Sequence, residues 1–219
     1  MIRSIVTDIE GTTTPISFVH RVLFPYARER LPGFLEANEA HPALANVPEP
    51  KLGTLLKWMD HDEKITALKA IQGEIWKEGF TSKHLVGEVY ADVPPALSAW
   101  FAAGLRLFIF SSGSVEAQKL LFGHTPAGDL TPKFEGFFDT NIGSKKESAS
   151  YGNIIHALGN QPDEILFLSD IEAELDAAAA AGLAVCQLVR PEDKTIPSPR
   201  HPVACDFHNV SSLFGLPCE

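Results

Sequence analysis

Two hydrophobic rhythms run along the chain. Four short apolar runs, Ile2–Thr7, Leu105–Phe110, Ile165–Leu168 and Ala184–Leu188, are bounded by polar or turn-forming residues. Each is too short for a helix, so each predicts a buried strand. Between the second run and the last, apolar positions recur at helical spacing over Val115–Phe122, Glu147–Leu158 and Glu172–Ala181. The last of these ends in the alanines Ala177 to Ala181 and meets Gly182, a strong helix former followed by a stop signal. Strands alternating with helices imply a parallel sheet with right-handed crossovers and helices on both faces, a doubly wound α/β domain. From about Pro15 to Asp92 the alternation ceases. Leu52, Leu55, Leu56 and Met59 form one helical stripe, and Ile65, Leu68, Ile71, Ile75 and Trp76 form another, with no convincing strand. Ala37–Pro50, with Pro42, Pro48 and Pro50, reads as a loop inside this segment. Pro94-Pro95 then open a helix, Ala96–Ala103, that leads back to the sheet. The predicted division is an α/β core of residues 1–14 and 93–219, with residues 15–92 inserted after the first strand as a small helical lid over the C-terminal edge of the sheet.

Composition narrows the possible partners. A chain of 219 residues can bury a core without covalent staples, and 45% hydrophobic with 21% charged residues is ordinary globular material. With 18 Lys and Arg against 28 Asp and Glu, the formal charge is −10. That argues against nucleic acid or an anionic membrane as the main partner, though a few local charges and amides can still hold a small anion. Cys186, Cys205 and Cys218 form neither a disulfide framework nor a zinc knuckle, which suits a reduced compartment. The run Met1 to Asp8 reaches a carboxylate too early for a signal peptide, and no apolar stretch has transmembrane length. A cytoplasmic location is expected. So is a monomer, because nothing in the charge pattern demands a partner.

The informative residues are those that follow the strands. The first run delivers Asp8 and Glu10, the second Ser111 and Ser112, and the third Ser169 and Asp170. In an open parallel sheet, ligands bind beyond the carboxyl ends of the strands. One aspartate there is commonly a turn former or cap. Three strands presenting carboxylates and hydroxyls at one edge are a candidate site.

This pattern resembles the haloacid dehalogenase superfamily of phosphatases. The carriers are Asp8-Ile9-Glu10-Gly11-Thr12-Thr13, Phe110-Ser111-Ser112-Gly113-Ser114, a lysine near Lys145, and Ser169-Asp170 with Glu174. The helical insertion falls where that superfamily has its helical cap. Within it, Phe110 to Lys119, Leu23-Phe24-Pro25-Tyr26 and a glutamate at Glu10, where most members carry aspartate, look like the acireductone synthase (enolase-phosphatase) family of methionine salvage. The resemblance implies one protein that enolises 2,3-dioxo-5-methylthiopentyl 1-phosphate and then removes its phosphate to give acireductone. It gives Glu10 a metal-ligand or an acid/base role, and the longer side chain leaves that choice open. The family pattern G-x-K-x-E-S matches Gly143 to Ser148, which selects Lys145 for phosphate and leaves Lys146 at the surface.

Each part has a chemical reason. Asp8 would attack phosphorus to give an aspartyl-phosphate that water hydrolyses. A carboxylate 4 Å from a phosphate dianion is repelled by about 8 kcal/mol at an effective dielectric near 20. A divalent cation removes most of that repulsion, and Asp8 and Asp170 on neighbouring strand ends can ligate one Mg²⁺. Ser111 and Ser112, just before a helix starting near Ser114, suit phosphate through hydroxyls and amides, although serine there also caps. A lysine at a helix start is locally unfavourable, so Lys145 points to an external anion. Glu174, on the first turn after Asp170, either orients the water ligands of the metal or is a favourable helix-start charge. His20, Arg21 and Tyr26 open the insertion just beyond the first motif, where closure of the cap could bring them to substrate, but helix-surface or core roles are expected, and Trp58, Trp76 and Trp100 are expected in the core. The histidines lack zinc-ligand spacing, and neither G-x-G-x-x-G nor a Walker loop occurs. Two other functions compete. One is a related small-metabolite phosphatase or phosphomutase. The other is a catalytically silent regulator, against which the joint presence of Asp8, Ser111, Lys145 and Asp170 argues.

Overall fold

The computed structural model describes residues 1–63 and 65–218. The chain divides into two compact units, residues 1–16 with 88–219, and residues 17–87. The first unit carries a parallel sheet of β1 (Ser4–Thr7), β2 (Arg106–Phe110), β3 (Gly136–Phe138), β4 (Ile165–Ser169), β5 (Ala184–Leu188) and β6 (Val203–Ala204). Their spatial order is β3-β2-β1-β4-β5-β6. The four predicted runs are the four inner strands, buried along almost their whole length. The edge strands β3 and β6 were not expected. They are three and two residues long, too short to show a period, and exist because their neighbours present a register for them, Phe108 to Gly136 and Gln187 to Val203.

This order has a consequence for ligands. From β1 the chain goes to β2 and then β3 on one side, and returns across β1 to β4, β5 and β6 on the other. The direction of winding reverses between β1 and β4, and a crevice opens there beyond the strand ends. Those two strands pair from Ser4 with Ile165 through Thr7 with Leu168, so Asp8 and Asp170 leave the sheet side by side.

The helices are α1 (Ile16–Phe18), α2 (Phe24–Ala37), α3 (Lys51–Asp60), α4 (Thr66–Thr81), α5 (Val93–Ala102), α6 (Val115–Gly123), α7 (Ser148–Leu158), α8 (Glu172–Ala180) and α9 (Phe207–Phe214). Helix α5 begins earlier than the prolines suggested: Val93 opens it and both prolines lie in its first turn, where they forfeit no helical bond. Helix α8 stops where the alanine run meets Gly182. On one sheet face, Val6, Phe108, Phe110, Phe167 and Val185 pack against Tyr151, Ile154 and Leu158 of α7 and Leu175 and Ala178 of α8. Residues of the opposite parity, Ile5, Leu107, Ile109, Leu166 and Leu168, are equally buried, so the sheet is covered on both sides. Trp100 of α5 stacks on Phe207 of α9, with its indole N–H donated to Ser211 Oγ at 2.9 Å.

The second unit contains no strand among its described residues. A π-helical turn, Val19–Leu23, joins α1 to α2. The two predicted stripes, on α3 and along α4, meet Ala27, Leu31, Leu44 and Val47 in one apolar core. Trp58 and Trp76 pack half-buried against that core, and Trp100 is fully buried in the other unit. The predicted loop Ala37–Pro50 includes a short 3₁₀ turn, Pro42–Asn46, which delivers Leu44 to the same core. His20 and Arg21 are exposed and Tyr26 is half-buried.

Candidate active site

The turn after β1 is closed on a single carbonyl. Ile9 O accepts the N–H groups of Thr12, Thr13 and Thr14 at 2.8–3.2 Å, and Gly11 N–H donates to Thr14 O at 2.8 Å. Gly11 has φ +72°, and a Cβ added there would lie 2.5 Å from Asp170 Oδ2. Glycine is required twice over, for the backbone conformation and for the close approach of the turn to Asp170. Asp8 is fixed at the root of this turn by its N–H bond to Leu168 O at 2.8 Å.

Lys145 joins the strand ends. Its Nζ lies 2.6 Å from Asp8 Oδ1 and 2.6 Å from Glu174 Oε2, with all three side chains buried. Ser169 Oγ donates to the same Glu174 oxygen at 2.8 Å, and Tyr151 OH donates to Lys145 O at 2.7 Å. The aromatic faces of Phe110 and Phe167 lie 5.8 and 6.0 Å from the ammonium. Gly143 adopts φ +131° with the Ser150 side chain packed where a Cβ would sit, which brings the segment Gly143 to Lys145 close over the start of α7. One expectation needs correction here. Lys145 precedes the N-cap of α7, Glu147, so it is not a helix-start cation. Its anions in this structure belong to the chain, Asp8 and Glu174. Glu174 is more than a favourable helix-start charge, because it holds the ammonium that also binds Asp8. Lys146, one residue on, is exposed.

Ser111 is buried and Ser112 exposed in the turn after β2. Neither caps α6: Ser114 does, its Oγ accepting Ala117 N–H at 3.3 Å. Ser111 Oγ accepts Gly113 N–H at 3.1 Å, while Ser111 N–H donates to Phe138 O at 3.1 Å. Gln118, buried on α6, donates its amide to Gly113 O and Phe138 O at 2.8 and 2.9 Å, clamping the turn to the end of β3. Sequence reasoning missed Gln118, whose position on α6 gives no hint of what it reaches. It also missed Gln187, which donates to Asp170 O at 2.8 Å, and Thr140 and Ser144, which line the cleft.

These residues surround one open cleft of about 610 Å³, lined by Asp8, Glu10, Ser111, Ser112, Lys145, Asp170 and Glu174 together with Ile16, Thr140, Ser144, Lys146 and Ile171. Its electrostatics are unbalanced toward negative charge. Burial, reinforced by the charges of Asp8 and Glu174, raises the Asp170 carboxyl to about 7. Burial and then Asp8 raise Glu174, with Lys145 opposing. Burial alone would lower Lys145, but the two carboxylates outweigh it and hold the ammonium charged. Asp170 Oδ1 is buried with no hydrogen-bond partner. An orphaned carboxylate oxygen beside a second carboxylate is a fit for a hard cation that takes oxygen ligands. No group of three or more His, Cys, Asp and Glu is gathered in the manner of an all-protein cage among the described residues. Two carboxylates with open positions suit Mg²⁺, which keeps several waters.

Comparison with known proteins places the chain in a family. Residues 2–182 match the family model of the haloacid dehalogenase-like hydrolases. The chain is 55% identical over 225 aligned residues to the enolase-phosphatase E1 of Granulibacter bethesdensis, covering 98% of this chain and 97% of that one. It is 50% identical to the enolase-phosphatase E1 of Serratia proteamaculans, covering 96% and 97%. Among solved structures, the UTR4 protein of Saccharomyces cerevisiae superposes with a TM-score of 0.80 at 35% identity, over 94% of this chain and 98% of that one. CbbY of Rhodobacter sphaeroides, solved in complex with phosphate, shares the fold at TM-score 0.69 and 17% identity over 99% of each chain. With likeness of this extent along nearly its whole length, the chain belongs to the enolase-phosphatase family of the haloacid dehalogenase-like hydrolases.

Proposed function

We propose that this enzyme converts 2,3-dioxo-5-methylthiopentyl 1-phosphate to acireductone and phosphate, with Asp8 as nucleophile. The observation that carries the reading is the Asp8–Lys145–Glu174 arrangement at the reversal of the sheet, beside the orphaned Asp170 carboxylate. Asp8 and Asp170 are the residues that would hold Mg²⁺, with Glu10 a further candidate ligand. When bound, the cation offsets the repulsion between Asp8 and the phosphate dianion and polarises the substrate carbonyl.

The chain's own residues account for the rest. Lys145 holds Asp8 in place through their ion pair, and presents the one positive side chain of the buried cluster to a phosphoryl oxygen. Glu174 holds Lys145 in place while Ser169 occupies part of its hydrogen-bonding capacity. The Ser111 and Ser112 hydroxyls supply donors to the remaining phosphoryl oxygens. The reaction comprises removal of a proton from the carbon bearing the phosphate ester, for which Glu10 is the proposed base, its electron pair forming the enol double bond as the adjacent carbonyl oxygen takes up a proton, and then transfer of the phosphoryl group to Asp8 Oδ. The alcohol oxygen departs with the electron pair of the broken P–O bond and takes up a proton. Water then releases phosphate from the aspartyl group. Residues 1–14 and 93–219 are proposed as the catalytic core and residues 15–92 as the cap, in a cytoplasmic monomer. The division of the chain into two compact units supports the first part of that reading, and no helix of the described residues is long and apolar enough to cross a membrane.

The test is enediol absorbance and phosphate release from the dioxo phosphate, with and without Mg²⁺, for wild type and Asp8→Asn. Metal-dependent formation of both products, lost in Asp8→Asn, is expected. Phosphate from an aryl phosphate but none from this substrate would overturn the substrate assignment.

A further inference from the structure

The turn that carries Glu10 is gripped from behind by an arginine distant in sequence. Arg190, at the exit of β5, is 2% exposed. Its Nε and Nη2 both donate to the Thr12 carbonyl, at 3.1 and 2.7 Å. Nη1 meets the two carboxylate oxygens of Asp92 at 2.9 and 3.0 Å and the Cys205 carbonyl at 3.3 Å. The guanidinium lies over the Tyr90 ring, 4.1 Å from its centroid. Tyr90 in turn donates its N–H to the Thr13 carbonyl at 3.0 Å and its phenol to Asp193, which also accepts Ile16 N–H at 3.2 Å. All three guanidinium nitrogens are engaged, and two successive carbonyls of the turn are held.

A buried ion pair is a poor device for stability alone, because apolar replacement of both partners is often neutral or better. What it can supply is position. The turn itself is incompletely satisfied: Thr12 Oγ1 and Thr14 Oγ1 are buried without hydrogen-bond partners. Asp8 has the sheet to hold it, through its N–H bond to Leu168 O. Glu10 lies beyond that support, two residues before the Thr12 carbonyl that Arg190 holds.

We infer that Arg190 is a positioning residue, which with Asp92 fixes the turn bearing Glu10 through the Thr12 carbonyl. The inference rests on the enolase-phosphatase reading, and it assigns Arg190 an effect on Glu10 and little on Asp8. Lysine retains the charge but not the planar fork that bridges Thr12 and Asp92.

The experiment compares wild type, Arg190→Lys, Glu10→Gln and the double variant in the full-length protein with Mg²⁺. Arg190→Lys is expected to lower kcat by about 10–100-fold, as small misplacements of reacting groups do, with KM changed less than about threefold. In the Glu10→Gln background the same substitution is expected to lower it by less than about threefold further, because the group it positions is already disabled. Equal factors in both backgrounds would overturn the inference in favour of a general structural role. The neutral pair Arg190→Met with Asp92→Asn, which leaves no buried charge unpaired, is expected to fold and to show the same non-additivity. Amide hydrogen exchange at Thr12 to Thr14 gives a readout that needs no activity, and about tenfold faster exchange in Arg190→Lys is expected. Wild type inactive on the dioxo phosphate would overturn the functional reading, and the exchange arm would then decide the clamp. Unchanged exchange would overturn the clamp.

Discussion

Replacing Asp170 with asparagine should make the metal-free protein more stable while abolishing its activity. The carboxyl is buried, faces Asp8 and Glu174, and is raised from 3.8 to about 7. At about 1.4 kcal/mol per pH unit, its charged form is disfavoured in the folded protein by about 4 kcal/mol. The sign follows from proton counting: between pH 3.8 and about 7 the folded state binds the proton that the unfolded state has released, so stability falls as pH rises. That loss begins near pH 4, is complete above about pH 7, and is absent from Asp170→Asn. The amide must pair two N–H groups with the neighbouring carboxylates, and imperfect pairing reduces the gain, so about 1–3 kcal/mol is expected at pH 8. For a chain of this size that is about 2–12 °C in Tm. Thermal unfolding in EDTA at pH 5 and pH 8 should show the variant's advantage growing between the two. Mg²⁺ should raise the Tm of wild type and not of the variant, and kcat should fall at least about 10²-fold. A variant no more stable than wild type at pH 8 in EDTA, or an advantage that does not change with pH, would refute the reasoning.

Lys145→Met leaves Asp8 and Glu174 buried without their shared cation, and about 3–5 kcal/mol of stability at pH 7 should be lost along with phosphatase activity. Lys146→Met, one residue away and exposed, should stay within about twofold of wild type in kcat/KM and within about 0.5 kcal/mol in urea unfolding. Gly11→Ala drives a methyl to 2.5 Å from Asp170 and forces a left-handed alanine, so about 1–2 kcal/mol of stability should go from the backbone alone. Mg²⁺ titration by calorimetry should show weaker binding in that variant. Glu10→Gln should slow deuterium exchange at the carbon bearing the phosphate ester by at least about 10²-fold if Glu10 removes that proton. An unchanged exchange rate would exclude it as the base.

Much of this was written locally in the chain. The inner strands announce themselves as apolar runs, the helices as 3.6-residue stripes, and the end of α8 as alanines meeting a glycine. Asp8, Ser111 and Asp170 were legible as candidates because each follows such a run, and the carboxyl ends of parallel strands share one edge. Gly11 and Gly143 stand in recognisable strings, but their neighbours Asp170 and Ser150 cannot be read from those strings. The edge strands β3 and β6 left no trace, since two or three residues carry no period and are strands only by virtue of the partner beside them.

The sequence by itself determined the alternation of strand and helix, the helical insertion and the residue types delivered to the edge of the sheet, because short-range sterics and hydrophobic periodicity act within a few residues. The tertiary structure decided which charges meet. Lys145 pairs with Asp8 and Glu174, and Arg190 reaches the Thr12 carbonyl across a sequence separation of 178 residues. Such pairings depend on strand order and register, which bring distant residues within bonding distance. They also depend on burial, which makes an unpaired charge too unfavourable to leave unmatched.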